Sequence, residues 1–322
     1  MNAIVSVMDI GGSHVTAANV DLHSRGIVPG QSFREPLDGD GSADEIVAVL
    51  ARCARRLPAH PGGRWAIALP GPFDHERGIG RYEGVGKFEA LRDFDLGAAL
   101  APLLPGAVGI SFHHDADAFL LGEWWTGAAR GHGCAAGITL GTGVGSSFLQ
   151  DGQILRAGPG IPPEGRVDLL RYAGLPLEET VSGRAIRRAY AGATGESPVP
   201  DVREIAQRAR QGDRAAADVF AQAFGALGTV LGPCLEASGA TVLVVGGSIA
   251  AAWDLVAGPL RAGTAPVAVE PARHLAEAPL LGAAYLAGRD STASANSAMD
   301  VKVQSGVTST GDSGVAPRPG LL

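Results

Sequence analysis

The sequence predicts an α/β protein of two related lobes with a cleft between them. Residues 7–21, VMDIGGSHVTAANVD, and residues 137–152, GITLGTGVGSSFLQDG, each set apolar β-type stretches on both sides of a glycine-rich turn. In each half the order that follows is a further strand, a helix, a strand and a helix, which points to duplication. The 322 residues exceed the usual size of one core, and 46% hydrophobic against 18% charged side chains suffice to bury two.

Along the chain, Ser42 and Glu45 have the spacing of a capping box ahead of Ile46, Val47, Leu50, Ala54 and Leu57, whose rhythm predicts an amphipathic helix. WAIALP at 65–70 reads as a strand halted by PGP. The glycine-rich stretch FDHERGIGRYEGVGKFEAL predicts loop or irregular hairpin, leading to a helix over 96–104. AVGISF is a buried strand ending at His113, and DADAFLLGEWW turns helical with Asp115 at the N-cap. After the second hairpin comes the Gly/Pro-rich AGPGIPPEGR, then helices around 178–191, 201–211 and 213–237. TVLVVGGS at 241–248 is a buried strand entering a third glycine turn. A helix, PVAVEP and an apolar helix near 276–289 follow. This divides the chain into a lobe over 1–112, completed by the helix near 276–289, and a lobe over 113–275. Residues 290–322 lack the large apolar side chains that repay ordering entropy and are expected to be disordered.

A net charge of −7 without a basic block argues against nucleic acid or an anionic membrane as the main partner. MNAIVSVMDI has no basic flank, and no segment approaches ~18 uninterrupted apolar residues, so the protein is expected to be cytoplasmic. Cys53, Cys134 and Cys234 stand alone in apolar patterns, which excludes a disulfide framework or a CxxC metal site. Of 26 lysines and arginines only Lys87 and Lys302 are lysines, and neither is followed by Ser or Thr, so a P-loop is absent.

Two glycine turns facing one another would present backbone N–H groups, unobstructed by Cβ atoms, to one polyphosphate. Either alone is equally a hairpin with a permissive turn. Asp115 stands at the start of a helix leaving a strand, where a carboxylate serves as a structural cap. Its neighbour Asp117 is expected to cap the helix or face solvent. His113 and His114 resemble half a metal site, but adjacent side chains on a strand point to opposite faces. Trp124 and Trp125 read as packing residues, and Asp74 as a substrate contact or an Asx turn.

In order and spacing, MDIGGSHV, ALPGPFD, HHDADAFLLGE, ITLGTGVGSSFLQDG and LVVGGSI resemble the ROK family of bacterial sugar kinases, within the actin-like ATPase (ribonuclease H-like) superfamily. The resemblance covers about residues 4–288. It implies transfer of the ATP γ-phosphoryl group to a sugar hydroxyl between two closing lobes of a homodimer, with Asp115 as general base. It assigns Gly11, Gly12, Ser13, Gly141, Thr142, Gly143 and Gly145 to phosphate, Gly246 and Gly247 to adenosine, and Asp9 to hydrated Mg²⁺. Gly71, Asp74, His114 and Glu164 fall to the substrate. His14 stands where the family usually has a basic residue, and His114 where it usually has an asparagine.

The departure lies at 158–184, GPGIPPEGRVDLLRYAGLPLEETVSGR. Many family members carry Gly-Glu-x-Gly-His and a zinc-holding cysteine cluster there. Here Glu164 or, in another register, Arg166 takes the glutamate slot, Val167 replaces the histidine, and cysteine is absent, so no structural zinc is expected. The remodelled face points to another hexose or a C7 cyclitol rather than glucose. A glucokinase-type hexose kinase, a catalytically inert sugar-sensing relative and a repressor remain as alternatives. The repressor is disfavoured because the first phosphate motif begins within ten residues of Met1, leaving no space for a DNA-binding domain before it.

Overall fold

Two five-stranded sheets repeat one topology, and each begins with the hairpin that the sequence repeats. The computed structural model describes residues 4–60 and 63–289, so the tail expected to be disordered lies outside them. In the first sheet β1 (Ile4–Ile10) and β2 (His14–Asp21) form an antiparallel hairpin extended outward by β3 (Gly26–Pro36). On the other side β4 (Gly63–Leu69) runs parallel to β1. A two-stranded ribbon, β5 (Phe73–Asp74) and β6 (Ile79–Gly80), intervenes before β7 (Ala107–His114), which runs parallel to β4. The second sheet has β8 (Cys134–Leu140), β9 (Val144–Gln150) and β10 (Gln153–Leu155) as its hairpin and extension. The ribbon β11 (Arg171–Tyr172) and β12 (Leu175–Pro176) follows, and β13 (Val242–Gly246) and β14 (Ala268–Pro271) add in parallel. The orders β3-β2-β1-β4-β7 and β10-β9-β8-β13-β14 correspond strand for strand.

Helix boundaries follow local chemistry. α1 (Ala43–Ala54) opens with the expected capping box: Ser42 Oγ accepts from the Glu45 N–H at 3.3 Å and Glu45 Oε2 from the Ser42 N–H at 2.8 Å. α2 (Leu96–Leu100) is shorter than expected: Ala101 keeps helical dihedrals, but the chain then tightens into turns, the Leu103 and Leu104 N–H groups both reaching the Leu100 carbonyl, at 2.9 and 3.1 Å. α3 (Asp115–Thr126) leaves β7 without a loop. The single helix expected over 178–191 is two, α4 (Glu178–Val181) and α5 (Gly183–Thr194). Ser182 turns extended between them and its Oγ caps α5 through the Ala185 N–H at 3.3 Å.

α6 (Val202–Arg210), α7 (Arg214–Ser238) and α8 (Trp253–Thr264) cover one face of the second sheet. By length and composition α7 could cross a membrane, but its stripe of Val219, Phe220, Phe224, Leu227, Leu231 and Leu235 is buried in the core. The first sheet packs Met8, Trp65 and Ile67 against α1 on one face. Its other face, with Val5, Val7, Ala66 and Ala68, meets a closing helix from 278 through Leu280, Leu281 and Ala284. Trp124 and Trp125 pack on Tyr285 of that helix, in the structural role expected of them. The chain up to Ala287 forms one compact unit. Within it, α3 is clamped to the closing segment by Glu123, a fully buried carboxylate that accepts backbone N–H groups of Ala128 at 2.7 Å, Arg273 at 3.1 Å and His274 at 2.7 Å.

Candidate functional site

Because β1, β4 and β7 are parallel, their C-terminal ends meet at one edge of the sheet. Asp9 pairs across the ladder with Ala68, and Ala68 with His113, so Asp9 lies level with the β7–α3 junction and two strands, about 10 Å, away. Asp115 follows two residues later. It is not the N-cap of α3 but its first helical residue: His114 occupies the cap position without a side-chain cap bond, because β7 continues through it. Asp115 Oδ1 accepts from the Ala116 N–H at 2.8 Å, which fixes the carboxylate at the helix start. Burial and then the Asp115 charge push the Asp9 carboxyl up to about 7, against the opposing pull of Arg34. The Asp115 charge is thus felt at Asp9, whose own surroundings are poorly solvated.

Around them lies a floor of rings. His114 Nδ1 is buried without a hydrogen-bond partner, 3.6 Å from Asp115 Oδ1. Its opposite edge faces Gly71, where a Cβ would stand 3.9 Å from His114 Nε2. His75, absent from the sequence expectations, stacks edge-on to His114 at 6.0 Å and to Phe73 at 5.3 Å. Burial first, then His114 and His113, hold its imidazole down to about 4 against the opposing pull of Asp117, so it is neutral. Tyr82 closes the floor, donating to the Pro70 carbonyl at 2.7 Å. Asp74 is engaged locally, its Oδ1 accepting from the Arg77 N–H three residues on at 3.1 Å and its Oδ2 lying 3.7 Å from Arg81.

The first glycine turn is closed by the Gly11 N–H to the His14 carbonyl at 2.9 Å, and Ser13 stays exposed at its tip. Burial and the Arg34 charge hold the His14 imidazole below its usual range, which disfavours the ring as a cation at this turn. The chain supplies another one. A Cβ on Gly12 would stand 3.2 Å from Lys87 Cδ, so the lysine stem lies over this turn.

In the second turn Thr142 is exposed, and Glu178 Oε2 accepts from the Val144 N–H at 3.2 Å while Glu178 Oε1 holds Arg184 at 2.8 Å. Gly145 faces Thr139 and Ala116, where a Cβ would come within 2.5 Å of Thr139 Oγ1 and 3.2 Å of Ala116 Cβ, which seats β9 against the first turn of α3. The third turn adjoins the second: Gly246 pairs with Thr139, and Ser248 Oγ lies 3.8 Å from a Cβ placed on Gly141. Gly247 has φ 84°, and a Cβ there would strike the Leu140 backbone, so glycine is required.

The loop over 162–167 is bolted to β9 by Ser146 Oγ, which donates to the Gly165 carbonyl at 2.7 Å and accepts from the Val167 N–H at 3.0 Å. Glu164 is exposed with φ 57°, whereas Val167 is buried in the core and cannot face a substrate. Arg166 is tied to Asp168 through Nε at 3.2 Å and Nη2 at 2.6 Å. Asp117 overturns its expectation. It neither caps nor faces solvent but is buried, accepting Ser147 Oγ–H at 2.6 Å and both terminal nitrogens of Arg156, one of them at 3.1 Å. Its place in the first turn of α3 turns it toward β9. His75, Glu178 and Arg156 gave no local signal, since each meets the site only through distant chain.

The profile of the ROK family matches residues 5–290. A glucokinase from Thermotoga maritima is 29% identical over 276 residues, covering 79% of this chain and 84% of that protein. A beta-glucoside kinase from Listeria monocytogenes is 25% identical over 295 residues, 87% of this chain and 96% of that one. The crystal structure of a ROK hexokinase from Thermus thermophilus matches with a TM-score of 0.71 at 26% identity, covering 89% of this chain and 99% of that chain. A Streptomyces griseus ROK family glucokinase, solved with glucose and AMPPNP, has the same fold at a TM-score of 0.70 and 24% identity over 88% of this chain and 98% of that chain.

Proposed function

The chain belongs to the ROK family, and on that premise we propose that it is an ATP-dependent kinase acting on a hydroxyl of a free sugar or a sugar-like cyclitol, with Asp115 as general base. Relatives named glucokinase and beta-glucoside kinase support sugar phosphorylation. The observation that carries the chemistry is the convergence of Asp9 and Asp115 at one sheet edge beside a glycine turn.

Asp115, fixed at the start of α3, accepts the hydroxyl proton as the oxygen attacks phosphorus. The turns over 11–13 and 141–143 offer backbone N–H groups to the phosphates, and Gly246 and Gly247 lie where the nucleoside would rest. Asp9 fits Mg²⁺, an ion that keeps most of its water and takes one or two carboxylates plus substrate phosphates. A carboxyl whose proton is held to about 7 by burial and a neighbouring charge is relieved by a cation. When bound, the ion neutralises charge on the transferring phosphate. Gly71, His114 and Glu164 are assigned to the acceptor, and Asp74, occupied by its turn, contributes through the shape of that loop. On this reading the two lobes, 1–112 and 113–275, close over the ligands, and the protein is a cytoplasmic homodimer whose partner is a small molecule.

The cyclitol preference rests on Val167. Its burial removes the group that would pair with an anomeric hydroxyl, which a cyclitol lacks. A coupled ADP-release assay across hexoses, amino sugars and C7 cyclitols tests both levels. Turnover of any member supports the kinase, and silence across the panel overturns it. A kcat/KM for glucose equal to or above the rest replaces the cyclitol reading with a glucokinase-type hexose kinase.

A further inference from the structure

The chain is nearly free of lysine, yet the one lysine among the described residues lies over the first glycine turn. This position is built into the fold. Phe88, the next residue, is buried at 1% exposure against Tyr82, with the ring centroids 5.4 Å apart. Its N–H donates to the Gly39 carbonyl at 2.6 Å, and the Gly39 N–H in turn donates to the Gly12 carbonyl at 3.2 Å. The approach to the turn is shaped by Glu89 Oε1, which accepts the N–H groups of Val85 at 2.8 Å and Gly86 at 3.1 Å. Three backbone segments are thus stacked, and the residue before Phe88 has its stem on the bare backbone of Gly12. No ion pair among the described residues engages Lys87. His14, beside the same turn, is held below its usual range by burial and the Arg34 charge, which disfavours its cationic form.

We propose that Lys87 binds the terminal phosphates of the nucleoside triphosphate, taking the part that a P-loop lysine plays in other folds but from a separate loop of the same lobe. A compact ammonium on a flexible stem suits this task, since phosphoryl transfer depends on charge neutralisation at oxygens that move. The inference rests on the kinase reading for its role in catalysis, but the binding it asserts is separately measurable.

The sequence makes the test clean, because Lys87 and Lys302 are its only lysines. The full-length protein is acylated with an amine-selective ester in the presence of ATP, tripolyphosphate or adenosine, and the two lysines are quantified by peptide mapping. Protection of Lys87 by ATP and tripolyphosphate but not by adenosine, with Lys302 unaffected, is expected. In kinetics, Lys87→Met lowers kcat/KM for ATP by about 10²-fold, the scale of a lost transition-state donor, and Lys87→Arg retains more than Lys87→Met. Equal labelling of Lys87 with and without ATP overturns the proposal, even in an active enzyme. So does a Lys87→Met protein that keeps kcat/KM within twofold. Protection of Lys87 in a protein that phosphorylates no acceptor upholds the site and removes only the kinase reading.

Discussion

The charge of Asp115 helps to hold the proton of Asp9 on its carboxyl up to about pH 7, although Asp9 lies in β1 and Asp115 opens α3, more than a hundred residues later. This relationship makes the pair a unit, and a change at either is read at the other. Asp115→Asn is therefore expected to lower kcat by ~10²-fold or more, the scale of general-base loss, with little change in melting temperature. It also moves the Asp9 titration downward, since one of the causes raising it is gone. Carboxyl NMR of the variant checks this, and an unmoved Asp9 titration would separate the two acids.

Asp9 also sets a pH dependence of its own. Below about pH 4 it is protonated folded and unfolded, and between about 4 and 7 only the folded state keeps the proton. Folding thus loses stability from this group as pH rises through that window. Without ligand, Asp9→Asn should melt above wild type by roughly 2 °C or more at pH 8, with the gain fading toward pH 4. A gain that is constant with pH would show that ionisation is not its source.

His75 acts in the opposite direction. Its folded value is about 4, against about 6.5 for a free imidazole, so between those pH values the unfolded chain binds the extra proton. Stability from this group is present above about 6.5 and is lost as pH falls toward 4. His75→Gln removes the titration and should make the variant more stable relative to wild type as pH falls from about 6.5 toward 4, while leaving the alkaline side unchanged. The Asp9 and His75 effects oppose one another, so wild type varies less across the window than either variant.

The Asp117–Arg156 pair gives a test by rescue. Arg156→Met leaves a buried carboxylate unpaired, which should cost about 2–3 kcal/mol, below the range for fully buried pairs because Arg156 keeps 46% of its side chain exposed. Asp117→Asn in that background removes the stranded charge and should recover most of the loss. Chemical denaturation of the two single variants and the double variant measures the coupling, and additive effects would show that the pair is independent.

The hairpins, the capping box at Ser42, the strand at 65–69 and the order of the strands in the two sheets were legible in the sequence, because glycine turns, caps and periodicity act over a few residues. The Asp9–Asp115 edge was half legible: Asp9 stands near the end of β1 and Asp115 just beyond the end of β7, but their nearness needs the parallel register through β4. Tertiary structure alone decided the rest. Asp117 resembles any first-turn carboxylate until β9 and Arg156 enclose it, and His75 resembles a loop histidine until burial among other rings strips its water. The 178–191 helix breaks at Ser182, where the Gly183 N–H reaches the Gly141 carbonyl at 2.8 Å. Lys87 reaches Gly12 through a relay by way of Gly39. Desolvation and charge coupling depend on distance in space, and folding sets that distance between residues whose local sequence carries no mark of it.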